Sequence, residues 1–286
     1  MNAPFALGKY TAAGLRARPR PDAPLLSQLL FGEPVEKLER VGNYLHVRRA
    51  EDGLLGFVHA DQLLNTSESR FHRQLAAPNF VLDLFGNLMG AEDGLPVTFG
   101  ARLPDYDGIQ TTLAGGSYLY SGQALGSDGV RPNAELLVRL ARKWRFCPEL
   151  PGGRTPTGID PVGLIQLLLR LVGVRLPAAL EDIASRGRAV DFIVQCQAGD
   201  VAFFDDERGR MTHAGLLLPA GELLHVRGRV RIDGLDHYGI FDRQHRRYTH
   251  RLRIVRRYLP DDSPRTIELR RSLNDMKLIS RQTALF

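Results

Sequence analysis

The chain has 286 residues, of which 43% are hydrophobic and 24% are charged, a balance typical of soluble globular proteins and not of disordered ones. No hydrophobic run is long enough to span a bilayer, and the two cysteines, Cys147 and Cys196, are too few for a disulfide framework. The net charge of +6 permits a polyanionic partner without requiring one. The first residues show neither a basic leader nor an apolar signal segment, so we expect a cytoplasmic protein.

Residues 8–65 have the pattern of a small all-β barrel. Apolar and polar side chains alternate over residues 35–38 and 44–47, as they do in strands with one buried face. Turn-forming residues interrupt the pattern at 32–34, 42–43 and 52–53. Short strands with this punctuation predict a barrel.

Residues 72–127 have the same pattern in a weaker form, with a turn at residues 105–108. We therefore expect a second small all-β module. After it, Asn133 is expected to begin a helix that runs to about Phe146 with leucines on one face.

The stretch 154–177 predicts a buried central helix, because apolar side chains cover nearly every face of residues 164–172. Asp160 is a good N-cap, and Pro161 suits the first helical position, where no backbone N–H is needed. Gly173 is expected to end the helix. The following residues 178–195 are interpreted as a polar, partly helical connection.

An antiparallel sheet is predicted over residues 198–235, with strands at 201–204, 211–218 and 223–226 and a closing strand at 252–259. His213 and His225 lie on two of these strands. We expect both imidazoles to face the N-terminus of the central helix. The last 26 residues, 261–286, predict a rough amphipathic helix.

Two of these segments carry a family resemblance. PELPGG at residues 148–153, followed by DPVGLIQ at 160–166, resembles the motif P-Y-x-W-G-G, then D-C-S-G-L-V-Q, of the NlpC family. These are papain-like bacterial cysteine peptidases that cut cell-wall peptides between D-Glu and a diamino acid. The pieces LRARP, QLLFGE and GLLGFV within residues 8–65 resemble a bacterial SH3 domain.

The resemblance implies a multidomain chain, in which two small all-β SH3-like barrels precede an α+β papain-like NlpC domain. The expected bounds are residues 1–67 and 68–130 for the barrels, 131–260 for the NlpC-like domain and 261–286 for a C-terminal extension. In the second barrel the resemblance is looser than in the first.

The chemistry residues of the motif are altered. The nucleophilic cysteine of the family falls on Pro161, the serine after it on Val162 and the family's tyrosine on Glu149. Asp160 keeps its place, and His213 and His225 fall where the family has its catalytic histidine and the third polar residue that orients it. Proline offers no nucleophile, whereas such peptidases need a thiolate at this position.

The resulting interpretation is a catalytically inactive NlpC homologue that acts by binding, scaffolding or regulation, with a cell-wall peptide or a protein as partner. The alternative is an active cell-wall peptide hydrolase with an unrecognised nucleophile. Cys147 and Cys196 are interpreted as buried structural thiols and not as that nucleophile.

A metal site and a nucleic-acid surface are two less favoured interpretations of the sequence. A metal held by His213 and His225 with Asp160 or Glu149 is disfavoured, because no metal-binding spacing is present; no cofactor is expected. The seven arginines between Arg243 and Arg257 could contact nucleic acid, but a solvated strand face with Leu252, Ile254 and Val255 turned inward is favoured.

Overall fold

A computed structural model describes residues 4–113 and 116–261. Contacts within the chain divide it into two compact units, each built from two stretches of sequence. The first unit holds Met1–Arg131 and Phe146–Ala179, and the second holds Pro132–Arg145 and Leu180–Phe286. This division cuts the segment 131–260, whose standing as one domain stays a prediction. The amphipathic helix expected in residues 261–286 lies outside the described residues, apart from Asp261.

The first unit begins with an antiparallel seven-stranded sheet. Its strands are β1 (Phe5–Gly8), β2 (Ala12–Arg16), β3 (Leu25–Leu30), β4 (Pro34–Val41), β5 (Tyr44–Arg49), β6 (Leu55–His59) and β7 (Leu63–Thr66), in the order β3-β2-β6-β5-β4-β1-β7. Small and branched apolar side chains fill its core, among them Leu15, Val35 and Val47. A Cβ on Gly56 would come within 2.7 Å of the Leu15 side chain, so the sheet closes tightly there. The all-β prediction is confirmed for this region.

The next region contains a helix that the sequence analysis did not foresee, α1 (Glu68–Ala76), capped by Ser67, whose hydroxyl accepts from the Arg70 N–H at 3.3 Å. Six strands follow: β8 (Phe80–Val81), β9 (Phe85–Met89), β10 (Gly94–Thr98), β11 (Gln110–Leu113), β12 (Gly116–Leu119) and β13 (Ala124–Leu125). Four of them form a sheet in the order β10-β9-β12-β11, and β13 pairs with β8. Leu7 of β1 and Phe31, which follows β3, belong to the core of this region, so the first β-region contributes side chains to it.

The first unit is completed by a short hairpin, β14 (Arg154–Thr155) with β15 (Gly158–Ile159), and by helix α3 (Pro161–Arg170). The predicted central helix is confirmed. The regular helix ends at Arg170, two residues before the predicted end at residue 172. Gly173, with a φ of +84°, prevents the helix from continuing. All residues from Gly163 to Arg170 are buried.

The second unit contains α2 (Ala134–Lys143), capped by the Asn133 side chain, and α4 (Leu180–Ser185). Its sheet comprises β16 (Arg188–Val190), β17 (Val201–Asp205), β18 (Met211–Leu217), β19 (Glu222–Arg227), β20 (Arg229–Leu235), β21 (Gly239–Asp242) and β22 (Arg247–Arg257). The order is β16-β22-β17-β18-β19-β20-β21, and β21 also pairs with β22, which closes six strands into a barrel. The predicted strands are present, and β16, β20 and β21 are additional.

The arginine-rich strand β22 is only partly the solvated face that the sequence suggested. Arg251 and Arg253 are exposed, and Val255 is buried as expected. Arg257 departs from the interpretation: it is buried, and its Nε and Nη2 each donate to the Asp200 carboxylate at 2.8 Å. Burial of a cation is tolerated here because the pairing is bidentate. Among the described residues, no helix is long and apolar enough to cross a membrane.

Candidate functional site

The start of helix α3 is held by the Asp160 carboxylate. One of its oxygens accepts from the Gly163 N–H at 2.5 Å, as an N-cap does, and the other accepts from the Gly152 N–H at 2.9 Å. Burial raises the pKa of Asp160, and the two backbone donors oppose this rise. Asp160 therefore ties the helix to the loop before it, and both oxygens are engaged in this structural role.

The glycines before the helix are required by space. Gly152 has a φ of +74°, and a Cβ on it would lie 2.7 Å from the Leu25 carbonyl oxygen. A Cβ on Gly153 would lie 2.3 Å from the Gly158 carbonyl oxygen. Only glycine fits such contacts. The glycine pair of the motif thus has a role in the backbone.

Pro161 and Val162 occupy the first turn of α3 and are both half-buried, so the surface reaches them. Their side chains carry only carbon, and no proton transfer or nucleophilic attack can start from them. Glu149 is exposed, and its backbone forms a bridge with Ile159 in parallel orientation. The first turn of α3 therefore presents an apolar surface where a cysteine peptidase presents sulfur.

The surroundings of the two cysteines disfavour the thiolate form of each. Burial raises the pKa of the Cys147 thiol, and burial together with the nearby Asp200 raises the pKa of Cys196 to about 11. A reactive cysteine needs the opposite shift, because only the thiolate attacks. Cys147 is buried as expected, whereas Cys196 is only half-buried, which departs from the expectation of a buried thiol.

The second unit carries a chain of three polar side chains on adjacent strands. His213 on β18 lies 2.9 Å from His225 on β19, Nε2 to Nδ1, and His225 Nε2 lies 2.9 Å from an Asp233 carboxylate oxygen on β20. All three are buried, with exposed fractions of 5%, 0% and 6%. We call this chain the histidine relay. A carboxylate at its far end fixes the orientation of both imidazoles.

The surroundings of the histidine relay favour neutral imidazole at its open end. Burial, and then the nearby His250 and His225, hold the pKa of His213 well below its usual value. The ring of His250 on β22 stacks on His213 with centroids 4.3 Å apart, and burial lowers the pKa of His250 to about 4. A neutral His213 has the lone pair that a general base needs, and its lowered pKa makes it a weak base.

Asp233 stays ionised at the other end of the histidine relay. Burial works against its charge, but hydrogen bonds from His225 and Arg231 more than offset this effect and lower its pKa. Neither Asp233 nor His250 was predicted as a site residue. The sequence shows only that Arg231 and Asp233, two residues apart, lie on the same face of a strand. This spacing indicates a partner for His225 only once β20 is known to neighbour β19.

The structure thus brings His213 and His225 together in the second unit, as predicted, and places Glu149, Asp160, Pro161 and Val162 in the first unit. The facing of the imidazoles toward the helix start stays a prediction. Among the described residues, no group of three or more His, Cys, Asp or Glu side chains is arranged to hold a metal ion.

Comparisons with known proteins bear on both units. Residues 15–63 match a bacterial dipeptidyl-peptidase Sh3 domain, and residues 150–249 match the NlpC/P60 family. No curated protein sequence matches the chain significantly. Both resemblances seen in the sequence are thereby confirmed.

Solved structures give the same picture of the fold. An NlpC/P60 family protein from Bacillus cereus ATCC 10987 is similar with a TM-score of 0.76 at 21% identity, over 90% of this chain and 100% of that chain. An NlpC/P60 endopeptidase from Photobacterium damselae subsp. piscicida has a TM-score of 0.61 at 14% identity, over 88% of this chain and 70% of that chain. At these identities the likeness concerns the fold.

Proposed function

Because this chain carries a bacterial SH3 domain followed by an NlpC/P60 domain, we propose that it is a non-hydrolysing NlpC/P60 protein. In this proposal it binds a cell-wall peptide that contains the γ-D-Glu–diamino acid bond, or a protein partner, without cutting it. The proposed role is binding, scaffolding or regulation. The region of strands β8 to β13 serves in it as a second SH3-like module, and the protein works in the cytoplasm.

The observation that carries the proposal is Pro161 at the first position of helix α3. The N-terminus of a helix lowers the pKa of a thiol placed there, which is why a cysteine peptidase benefits from this position. Proline removes the thiol and the N–H together, while it is well suited to the helix start. Helix formation is therefore preserved at the residue where chemistry is lost.

A second function is favoured by a specific observation, the intact histidine relay. A buried, neutral His213 backed by His225 and Asp233 is the arrangement of a general base. In the alternative, the protein hydrolyses cell-wall peptides with a nucleophile other than a cysteine at position 161, such as a water molecule that His213 deprotonates.

One experiment separates the two functions. Wild-type protein and His213→Ala are each incubated with a tripeptide containing the γ-D-Glu–diamino acid bond, and products are followed by mass spectrometry while binding is measured by calorimetry. The proposal expects binding without product in both proteins. Turnover by the wild type that His213→Ala abolishes would overturn the proposal and establish the alternative.

The location is tested separately by fractionating native cells. Recovery of the protein with the soluble cytoplasmic fraction supports the proposed site of action, and recovery with the cell wall contradicts it. Proteins that co-purify in the same fraction identify the partner.

A further inference from the structure

A cluster of opposite charges is buried in the first unit. Its arginines and carboxylates come from the first sheet, the second β-region and helix α3: Arg49, Arg102, Arg154 and Arg170, with Glu33, Glu51 and Asp52. Each arginine side chain is at most 3% exposed. Asp160 adds a carboxylate near Arg154 and Arg49, so the positive charge of the cluster is least compensated around Arg102 and Arg170.

The ion pairs show which arginine is least well compensated by carboxylates. Glu33 lies 2.7 Å from Arg154 and 2.5 Å from Arg170, and Asp52 pairs with Arg49. Glu51 is left to serve two guanidinium groups, Arg170 at 2.8 Å and Arg102 at 3.3 Å. Arg102 is therefore the least well compensated, and burial, only partly opposed by Glu51, lowers its pKa.

Next to this pair is a recess of about 210 Å³ at the C-terminal end of helix α3. A cavity needs only about 10–15 Å³ on this measure to hold one water molecule, so the recess has room for a small ligand. Arg102, Arg170 and Arg175 line it with Glu51 as the one carboxylate, and Phe80 and Val130 add apolar surface. The lining therefore carries a net charge of +2.

Two of the lining arginines have unused donors. Within residues 4–113 and 116–261, neither the Nε of Arg102 nor the Nε of Arg170 has a hydrogen-bond partner, although both side chains are buried. Their guanidinium groups lie over the Phe80 ring, at 5.4 Å and 5.1 Å from its centroid. A buried donor without a partner is costly, and an oxyanion is the group that satisfies arginine best.

We propose that this recess binds a small ligand that carries one oxyanion group, a carboxylate or a phosphate, held by Arg102, Arg170 and Arg175. The ligand supplies the negative charge and the acceptor atoms that the buried cluster lacks. Arg170 is the last residue of α3 and Pro161 the first, so a helix of about 15 Å separates the two positions. The inference is independent of the function proposed above.

The test is calorimetric titration of the full-length protein with inorganic phosphate and, separately, with acetate, in a low-salt buffer at neutral pH. Arg175→Gln removes an exposed lining arginine and leaves the buried cluster intact. Arg131→Gln is the matched control, because Arg131 is exposed, follows the lining residue Val130 and does not line the recess. We expect Arg175→Gln to weaken binding by about tenfold or more and Arg131→Gln to leave it unchanged.

A second measurement observes the two buried donors directly. In nitrogen-15 spectra, the Nε–H signals of Arg102 and Arg170 should move when the ligand is added. Tighter binding of phosphate assigns a phosphate ester, and tighter binding of acetate assigns a carboxylate. The proposal is overturned if neither anion binds the wild type at concentrations up to about 10 mM, where dissociation constants near 1 mM are measurable. Equal weakening by both substitutions would also overturn it, since this would mean nonspecific attraction to surface charge.

Discussion

At the start of helix α3, the polar groups hold the backbone in place, whereas on the sheet of the second unit a chain of polar side chains ends on an imidazole that can take a proton. Asp160 spends both oxygens on backbone N–H groups. Asp233, by contrast, orients His225, which in turn meets His213. The Asp160 carboxylate at the helix start stabilises the backbone, whereas the carboxylate on the sheet orients imidazole side chains.

The two sites differ in how much folding stability a substitution would cost. A proline after Asp160 improves the helix start, so exchange of a nucleophile for proline at this position costs little stability. Removing one member of the histidine relay would leave a buried partner without its hydrogen bond, which is costly. We therefore expect proline to be tolerated at position 161 more easily than a substitution within the histidine relay.

The largest expected effect is on catalysis. Restoring the thiol with Pro161→Cys should leave tripeptide hydrolysis at background, about 10⁶-fold below an intact peptidase, because catalytic groups act as a unit and are non-additive. Val162 and Glu149 still replace the serine and tyrosine of the family motif. The measurement is product formation over hours with the variant and the wild type.

A multiple variant sharpens this result. Pro161→Cys with Val162→Ser and Glu149→Tyr restores the motif, and Pro161→Ser with the same two changes is its control without a thiol. Turnover by Pro161→Cys alone would mean that the thiol and the histidine relay suffice for activity, without the serine and tyrosine of the family motif.

The next effect concerns the charges that anchor helix α3. Glu33→Gln should destabilise the protein by about 3–5 kcal/mol, because Arg154 and Arg170 would remain buried without their shared carboxylate. Burial opposes the charge of Glu33, and the two arginines nevertheless lower its pKa. The measurement is the free energy of unfolding in urea.

The control for Glu33 is Glu36→Gln on β4, the strand that begins just after Glu33. Glu36 is more exposed and pairs with Arg48 at 2.9 Å, so its loss should cost less than about 1 kcal/mol. Similar losses in the two variants would show that the buried cluster does not anchor the helix.

A smaller effect is expected at the cap itself. Asp160→Ala should destabilise the protein by about 1–2 kcal/mol, since the N–H groups of Gly163 and Gly152 lose their acceptor. Asp160→Asn keeps one acceptor oxygen and should recover part of the loss. An equal loss in both variants, measured by thermal unfolding, would contradict a role based on hydrogen bonding.

An effect that appears only on acidification is expected in the second unit. His250 has a pKa of about 4 in the folded protein, against about 6.5 for an unfolded histidine. Between these values the unfolded state binds more protons, so the contribution of His250 to stability is present above about pH 6.5 and is lost as the pH falls towards 4. His250→Phe should remove this loss, so the variant gains stability relative to the wild type on acidification.

Urea unfolding at several pH values between 7.5 and 4.5 tests this expectation, with the exposed His237→Phe as control. The control should follow the wild type at every pH. If His250→Phe also follows it, the ring of His250 is not held neutral and the electrostatic account of the histidine relay is wrong.

Local signals were sufficient for helix α3 and insufficient for the groups that surround it. Asp160, Pro161 and Gly173 are close in sequence and act on the same helix, so its start and stop could be read directly. Helix α1 was missed because it is short and polar, with only Phe71 and Gln74 buried. Its formation depends on tertiary packing more than on its own pattern.

The buried charges and the histidine relay could be foreseen only in part. Glu33 lies 121 residues before Arg154 and 137 before Arg170, and in the sequence it reads as part of a glycine–proline turn. His213 and His225 were found through the family resemblance, whereas Asp233 depends on the register of β20 against β19. Contacts at such separations are set by the fold, and no local pattern encodes them.

The packing of first-barrel side chains into the rest of the first unit has a consequence for chimeric proteins. Leu7 and Phe31 complete the packing of the second β-region, and Glu33 balances two arginines that follow it by more than a hundred residues. Replacing the first barrel with that of a relative would leave a void in the core of the second β-region. It would also leave Arg154 and Arg170 buried without their shared carboxylate. We therefore expect a chimera that carries the first barrel of a relative to be less stable than the native chain.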